Sequence, residues 1–367
     1  MRKKAHNLKI AAISRMNSPF HMDHLLPLCD LLQAKFVTCE DSHYELAQKF
    51  YPPQEMELVD SRFLSTEYVK EFYDIIIHSF SWPKKLIDYE LMPEKKESKK
   101  QLRCLHTPHG NSDKGYHSGI MTNYVHQDIC LLYGGHMVDM LKSMDIFDSL
   151  KDPVLIGNVR YPYYVKHKAF FDQIADEQVF SKLNPHKKTI LYAPTWDDYE
   201  QSTSVYEAYN FVLEHLPAKY NVIVKLHPWL IDYAPGKMYH IIGKYENTPN
   251  LVFLTEYPPV YPLLARSDIY LGDFSSIGYD FLAFNRPMFF FNPLRRDPSD
   301  KSLFLHQCGT EIPLSEGKSI LEILENGLRE DARFQDKRRE VYHYAFGEEK
   351  NPESLREEIL TLCRKTI

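Results

Sequence analysis

Between Ile269 and Phe291 the chain reads as two apolar strands joined by one short helix. Ile269-Tyr270-Leu271 is a buried strand, Gly272-Asp273-Phe274-Ser275-Ser276 has helix-start character, and Phe289-Phe290-Phe291 is the next strand. A strand, a helix and a second strand in one sheet imply a right-handed crossover and parallel pairing. The turn leaves unpaired backbone N–H groups and two hydroxyls, Ser275 and Ser276, at the positive end of a helix. That arrangement suits a phosphate or pyrophosphate. An ordinary capped helix, with Ser275 or Ser276 as N-cap, accounts for the same residues.

The alternation extends over the whole sequence. In the first half, strands are expected at Lys9–Ile13, Lys35–Thr38, Tyr73–Ser79, Leu102–Leu105, Ile129–Tyr133 and Val154–Gly157, with helices at about Asp23–Leu32 and Met137–Met144. In the second, strands fall at Thr189–Ala193, Tyr220–Leu226, Leu251–Leu254, Ile269–Leu271 and Met288–Phe291, with a helix at Val205–Leu216. The fold class is therefore α/β, with two Rossmann-like domains, mostly parallel sheets and ligands expected in a cleft between facing domains. The expected boundaries are 1–165 for an acceptor-side domain, 166–345 for a nucleotide-donor domain and 346–367 for a C-terminal helix.

Composition narrows the function. At 367 residues the chain is long enough for two cores, and 44% hydrophobic with 26% charged residues is ordinary for a soluble protein. A formal net charge of −6 argues against a nucleic-acid partner. The six cysteines, Cys29, Cys39, Cys104, Cys130, Cys308 and Cys363, are scattered without a C-x-x-C pair and fit reduced thiols in a cytoplasmic protein. No stretch is long enough to span a membrane. Met1-Arg2-Lys3-Lys4 precedes a segment too short and strand-like for a signal peptide. Lys84-Lys85, Lys95-Lys96 and Lys99-Lys100 surround Leu86, Ile87, Leu91 and Met92, which leaves peripheral membrane contact open beside the plainer reading of a solvated loop.

The polar residues worth naming fall just after expected strands. His106-Thr107-Pro108-His109-Gly110 is followed by Lys114. Gly110 permits close approach of backbone to ligand, His109 is suited to general-base work, and Lys114 can screen phosphate charge. A metal site from His106, His109 and His117 lacks a carboxylate or cysteine partner, so no metal and no cofactor is expected. Thr195 and Trp196 follow the strand at Thr189, and His227 follows the strand at Tyr220, either as phosphate donor or as a strand-end cap. Glu256 could bind ribose or base, or be a loop charge. His21 and His24, three apart, share a helix face at the first strand–helix junction. There, acceptor binding competes with simple capping by Ser18 or Asp23.

The ordered set Ile190–Trp196, Lys225-Leu226-His227-Pro228, and Asp273-Phe274-Ser275-Ser276 with Tyr279-Asp280-Phe281 and Arg286-Pro287 resembles the CDP-glycerol glycerophosphotransferase family. These are the teichoic-acid primases and polymerases. His109-Gly110 with Lys114 is similar to the family's His-Gly-Thr-Pro-x-Lys loop, and the resemblance covers roughly residues 100–295. It implies a GT-B arrangement and peripheral attachment at the inner membrane face. The implied reaction moves a polyol phosphate from a CDP-linked donor to an acceptor hydroxyl, lipid-linked as one option, and releases CMP. By position, the resemblance makes His109 the candidate base. It makes His227, Ser275 and Ser276 the phosphate-holding residues, with His227 counted as catalytic beside His109; Gly110, Lys114, Thr195 and Asp273 complete the expected donor- and phosphate-binding set. Three departures stand out: Asn111-Ser112 in place of Thr-Pro, Asp198 in place of the Arg that follows Thr-Trp, and Asn292-Pro293 at the end of the last strand. Losing that Arg removes a bidentate phosphate contact. Family chains are often longer at their N-terminus, so a compact version is expected here. Two rivals remain: a glycosyltransferase using a nucleotide sugar, with His21 or His24 as base, and a non-catalytic nucleotide-binding protein.

Overall fold

The structure, a computed structural model, describes residues 8–15, 18–61, 66–80, 102–116 and 119–365. The basic cluster from Lys84 to Lys100, its apolar neighbours, His117 and the N-terminal Met1-Arg2-Lys3-Lys4 lie outside them.

The chain divides into two compact units. One comprises Met1–His109, Ser118–Tyr163 and Phe346–Ile367, the other Gly110–His117 and Tyr164–Ala345. The split by position along the chain thus differs from the expected one in two places. A short segment from the first half, starting at Gly110, belongs to the second unit, and the C-terminal helix Pro352–Arg364 belongs to the first. Leu355, Ile359, Leu360 and Cys363 are the buried face of that helix, which is why it does not stand apart.

The first unit is built on a seven-stranded sheet. Its strands are β1 (Ile10–Ser14), β2 (Lys35–Thr38), β3 (Met56–Leu58), β4 (Ile75–His78), β5 (Arg103–His106), β6 (Ile129–Leu132) and β7 (Pro153–Leu155). They lie in the order β3-β2-β1-β4-β5-β6-β7, all parallel. The second unit repeats the plan with β8 (Thr189–Ala193), β9 (Asn221–Lys225), β10 (Leu251–Leu254), β11 (Ile269–Gly272), β12 (Met288–Phe290) and β13 (Thr310–Glu311). Their order is β10-β9-β8-β11-β12-β13, again parallel throughout.

Central strands are apolar on both faces because helices cover both sides of a parallel sheet. β8, β9 and β11 are buried at every position. Ile190, Val222, Leu271 and Phe289 join Val212, Leu213 and Leu324 from the helices in one core cluster. Each such side chain contributes about 1.5–3 kcal/mol of burial. In both sheets the strand order reverses at one point, between β1 and β4 and between β8 and β11. At such a switch point the connections leave in opposite directions and open a crevice at the carboxyl ends of the strands. All six cysteines are free thiols. Among the described residues no helix is long and apolar enough to cross a membrane.

Candidate functional site

At the switch point of the second unit, β8 and β11 run side by side in register, with Gly272 opposite Ala193. The residues that follow them are Pro194-Thr195-Trp196 and Asp273-Phe274-Ser275-Ser276. Asp273 joins the two loops. Its Oδ1 accepts from the Thr195 backbone N–H at 2.8 Å, and its Oδ2 accepts from the Ser204 N–H at 2.7 Å and the Ser204 hydroxyl at 2.8 Å. Burial pushes its pKa up to about 6, against those hydrogen bonds and the Lys114 charge, which pull it down. Expected as a phosphate ligand, Asp273 is instead a brace: both carboxylate oxygens are taken, and a buried carboxylate repels an anion.

The segment beginning at Gly110 is built into this corner. Gly110 has φ +132°, and a Cβ placed there would come within 2.7 Å of Ser276 Cβ and Oγ, so only glycine fits. Three residues on, Asp113 clamps the segment: its Oδ1 accepts from Tyr279 Oη at 2.6 Å and its Oδ2 from the Leu305 N–H at 3.1 Å. Lys114 Nζ lies 2.7 Å from Thr195 Oγ1 and 2.6 Å from Asp198 Oδ2. Burial lowers the Lys114 pKa, opposed by Asp198, Asp273 and Glu200. For Asp198, burial acts to raise the pKa, but Lys114 and Ser202 prevail and hold it below the ordinary carboxylate value.

The helix after Ser276 is shorter than expected. It spans Ile277–Phe281 and continues as a single 3-10 turn, Leu282–Phe284, so its dipole is weak. Ser276 occupies the N-cap position without a side-chain cap bond, and Ser275 is buried. A small pocket adjoins Ser275, lined also by Ser112, Asp113, Tyr279, Ser302 and His306. His306 stacks on Phe290 with ring centroids 4.6 Å apart, and burial drives its pKa down to about 4. His227 caps the helix Pro228–Tyr233, its Nδ1 accepting from the Trp229 N–H at 3.2 Å. That bond fixes the tautomer: with Nδ1 as acceptor, Nε2 carries the hydrogen. His227 thus takes the capping position weighed for it, and its Nε2 hydrogen is directed away from that cap as a donor. Glu256 is exposed on the loop after β10.

The first unit gathers histidines at the carboxyl ends of its strands. The His109 ring lies 4.8 Å from that of His21, 6.5 Å from that of His24 and 5.9 Å from that of Phe20. His109 keeps an exposed surface, yet its ring is hemmed in, and lost hydration lowers its pKa against an opposing backbone bond from Ser79. His24 is held well below the ordinary value by burial, helped by Arg160, His109 and His21. Its Nδ1 is 2.8 Å from Tyr133 Oη, which donates to the Pro108 carbonyl at 2.8 Å.

Neither Ser18 nor Asp23 caps the helix Met22–Leu32, whose N-cap is His21. Asp23 is ion-paired with Arg160 at 2.9 Å and accepts from Tyr51 Oη at 3.1 Å, contacts invisible in the local sequence. His106, weighed as a metal ligand, ends β5 in the core, 4.3 Å from the Tyr124 ring centroid. Among the described residues no group of three or more His, Cys, Asp or Glu is placed to hold a metal ion.

Fold and site together define an α/β protein of two Rossmann-like units, with a glycine, a lysine and two serines assembled at the switch point of the second. Residues 163–357 match the model of the family described as CDP-Glycerol:Poly(glycerophosphate) glycerophosphotransferase. The match spans more than half of the chain, and the protein belongs to that family.

The teichoic acid ribitol-phosphate primase of Bacillus spizizenii is 26% identical over 192 residues, 50% of this chain and 46% of that protein. The teichoic acid glycerol-phosphate primase of Bacillus subtilis is 30% identical over 132 residues, 35% of this chain and 30% of that protein. The chain thus spans less than half the length of these relatives. Among solved structures, the wall teichoic acid polymerase TagF superposes with a TM-score of 0.65 at 19% identity, covering 98% of this chain and 89% of that one. The UDP-GlcNAc 2-epimerase from Neisseria meningitidis bound to UDP-GlcNAc gives 0.60 at 14% identity, covering 96% and 99%. At these identities the likeness is one of fold.

Proposed function

We propose that the protein transfers a polyol phosphate from a CDP-linked donor to an acceptor hydroxyl in the synthesis of a surface polymer. In this reading the acceptor oxygen attacks the polyol-bearing phosphorus, the bond from that phosphorus to the bridging oxygen breaks, and CMP leaves. His109 takes the hydroxyl proton. Its lowered pKa keeps the ring neutral, and so competent as a base, at pH 7. Lys114, Ser275, Ser276 and the Nε2 hydrogen of His227 offset charge on the phosphates, aided by Thr195. His21 and His24 line the acceptor side, where neutral imidazoles can exchange hydrogen bonds with a polyol. An acceptor carried on a lipid, a cytoplasmic setting and a peripheral seat at the inner membrane face extend the same reading.

The observation that carries it is the assembly of three sequence motifs in one place. Gly110 meets Ser276 so closely that no side chain fits between them, and Lys114 reaches Thr195 across 81 residues of sequence. Nothing about the stability of an ordinary α/β unit requires those three motifs to meet.

The test is release of nucleotide from CDP-glycerol, CDP-ribitol and UDP-sugars in the presence of a polyol or polyol-phosphate acceptor. Release of CMP from a CDP-polyol is the expected outcome. Release of a nucleoside diphosphate from a UDP-sugar alone would make the protein a glycosyltransferase. Tight nucleotide binding without any release would make it a binding protein.

A further inference from the structure

The two cations beside the Ser275 pocket are already occupied by carboxylates. Lys114 Nζ holds Asp198 Oδ2 at 2.6 Å, and Arg296 Nη2 holds Glu200 Oε1 at 2.6 Å. Arg296 also touches two residues that line the pocket: its guanidinium lies 5.1 Å over the Phe274 ring and hydrogen-bonds Ser302. Its loop is braced by Asn292, whose side chain bonds the Arg296 N–H at 3.1 Å and carbonyl at 2.9 Å. The two carboxylates belong to one turn, with Tyr199 fully exposed between them. The remaining side-chain bonds of Asp198 stay inside that turn: to the Glu200 N–H at 3.1 Å, the Ser202 N–H at 3.0 Å and the Ser202 hydroxyl at 2.6 Å. Those bonds hold the turn's shape without the cations, its exposed part being Tyr199–Gln201 and its anchored end the buried Ser202.

Two anionic groups, adjacent in one turn, on one lysine and one arginine, is the contact pattern a diphosphate makes. We propose that the turn from Asp198 to Ser202 is a resident mimic of the donor's diphosphate. It sits on Lys114 and Arg296 until the donor displaces it, and Asp198 thereby sets how tightly the donor binds. The inference rests on the reading of Lys114 as a phosphate ligand. It also gives a role to the acidic residue found where the family resemblance expects an arginine: Arg296, held by Glu200, supplies the guanidinium from another loop, and Asp198 tunes Lys114.

The test is calorimetric titration of inorganic pyrophosphate into the wild-type chain and into Asp198→Asn, Asp198→Ala and Asp198→Asn/Lys114→Met. Asparagine keeps an acceptor for the Glu200 and Ser202 N–H groups, so this variant removes charge with the turn intact. The Asn variant is expected to bind pyrophosphate about tenfold more tightly than wild type, a change of about 1.4 kcal/mol. Adding Lys114→Met should abolish the gain. In the wild type, pyrophosphate should speed hydrogen exchange in residues 198–202 as the turn lifts.

Unchanged or weaker binding by the Asn variant, or slower exchange in the turn, would overturn the mimic. CDP-glycerol turnover, measured in parallel, separates the two ideas. Turnover without the pyrophosphate gain removes the mimic alone. The gain without turnover leaves a regulated anion site and removes the phosphotransferase reading.

Discussion

The two units share one sheet plan and, apart from the buried Asp23–Arg160 pair of the first, handle charge in opposite ways. At its strand ends the first unit collects histidines and keeps them neutral: burial holds His24 and His106 well below the ordinary value and brings His78 to about 4. The second collects ions and pairs them, Lys114 with Asp198 and Arg296 with Glu200, around the buried carboxylate of Asp273. The same topological position is thus lined by neutral imidazoles in one unit and by paired ions in the other. Topology supplies the location, and the residues after each strand decide the chemistry.

The largest effect that would break this contrast is at His109. His109→Ala is expected to lower turnover by roughly two to four orders of magnitude, the scale of a lost general base. Because His109 keeps an exposed surface, the melting temperature should stay near that of wild type. Near wild-type turnover would take the base role from His109 and make its crowding with His21 and His24 a matter of packing.

Acid should separate the units next. A histidine whose folded pKa is depressed contributes stability that is present above its unfolded value near 6.5 and lost as pH falls. His24, His78 and His106 are all buried in the first unit, so between pH 6.5 and 5.5, where an unfolded histidine goes from half to almost fully protonated, it should lose up to about 3 kcal/mol, about 1 kcal/mol per group. The second unit has His306 working the same way, but Asp273 works oppositely. Its folded pKa, about 6, lies above the unfolded value, so its contribution is present at low pH and lost as pH rises through 6. The two nearly cancel over this window. Hydrogen exchange at pH 7.0 and 5.5 should show β4 and β5 losing protection while β8 and β11 change little. Equal losses would mean that the histidines are not held neutral by the fold.

Much of this fold is legible in the sequence, and the failures have a common cause. β2, β8 and β10 have the bounds expected, because each is a short run with an apolar centre bounded by polar or turn residues. β3 and β13 were missed. They are edge strands of three and two residues, carry Glu57 and Glu311, and exist only through pairing with a neighbour. The site divides in the same way. Gly110, Lys114 and the serine pair stand out as residue types placed after strands. The Asp113–Tyr279 clamp, the Asp23–Arg160 pair and the Arg296–Glu200 pair do not, since each joins residues about 100 or more apart. The short helix after Ser276 misled the dipole argument, because Asn285 at φ +48° ends it early in the left-handed region.

Within the second unit, Asp273→Ala should cost about 3 kcal/mol of stability. It leaves the Thr195 and Ser204 N–H groups buried without their charged acceptor. The loss should be seen as a lower urea midpoint, with β8 and β11 opening first. A variant as stable as wild type would mean that the two strand-end loops hold together without the brace, and the ionic character of this unit would then be incidental to its fold.

The smallest change sharpens the contrast most. Tyr133→Phe removes one hydroxyl, which donates to the Pro108 carbonyl and meets His24 Nδ1. Since that hydroxyl has a single hydrogen, His24 donates from Nδ1 and its Nε2 is left as the acceptor. The cost should be about 1 kcal/mol, the usual net value of a neutral hydrogen bond. If burial keeps His24 neutral, its titration, followed by NMR of the ring protons, should stay depressed in the variant, and the acid response of the first unit should keep its slope. A return of His24 toward its ordinary pKa would mean that a specific partner, rather than desolvation, sets its charge. The first unit would then resemble the second, holding its site by pairing rather than by exclusion of water.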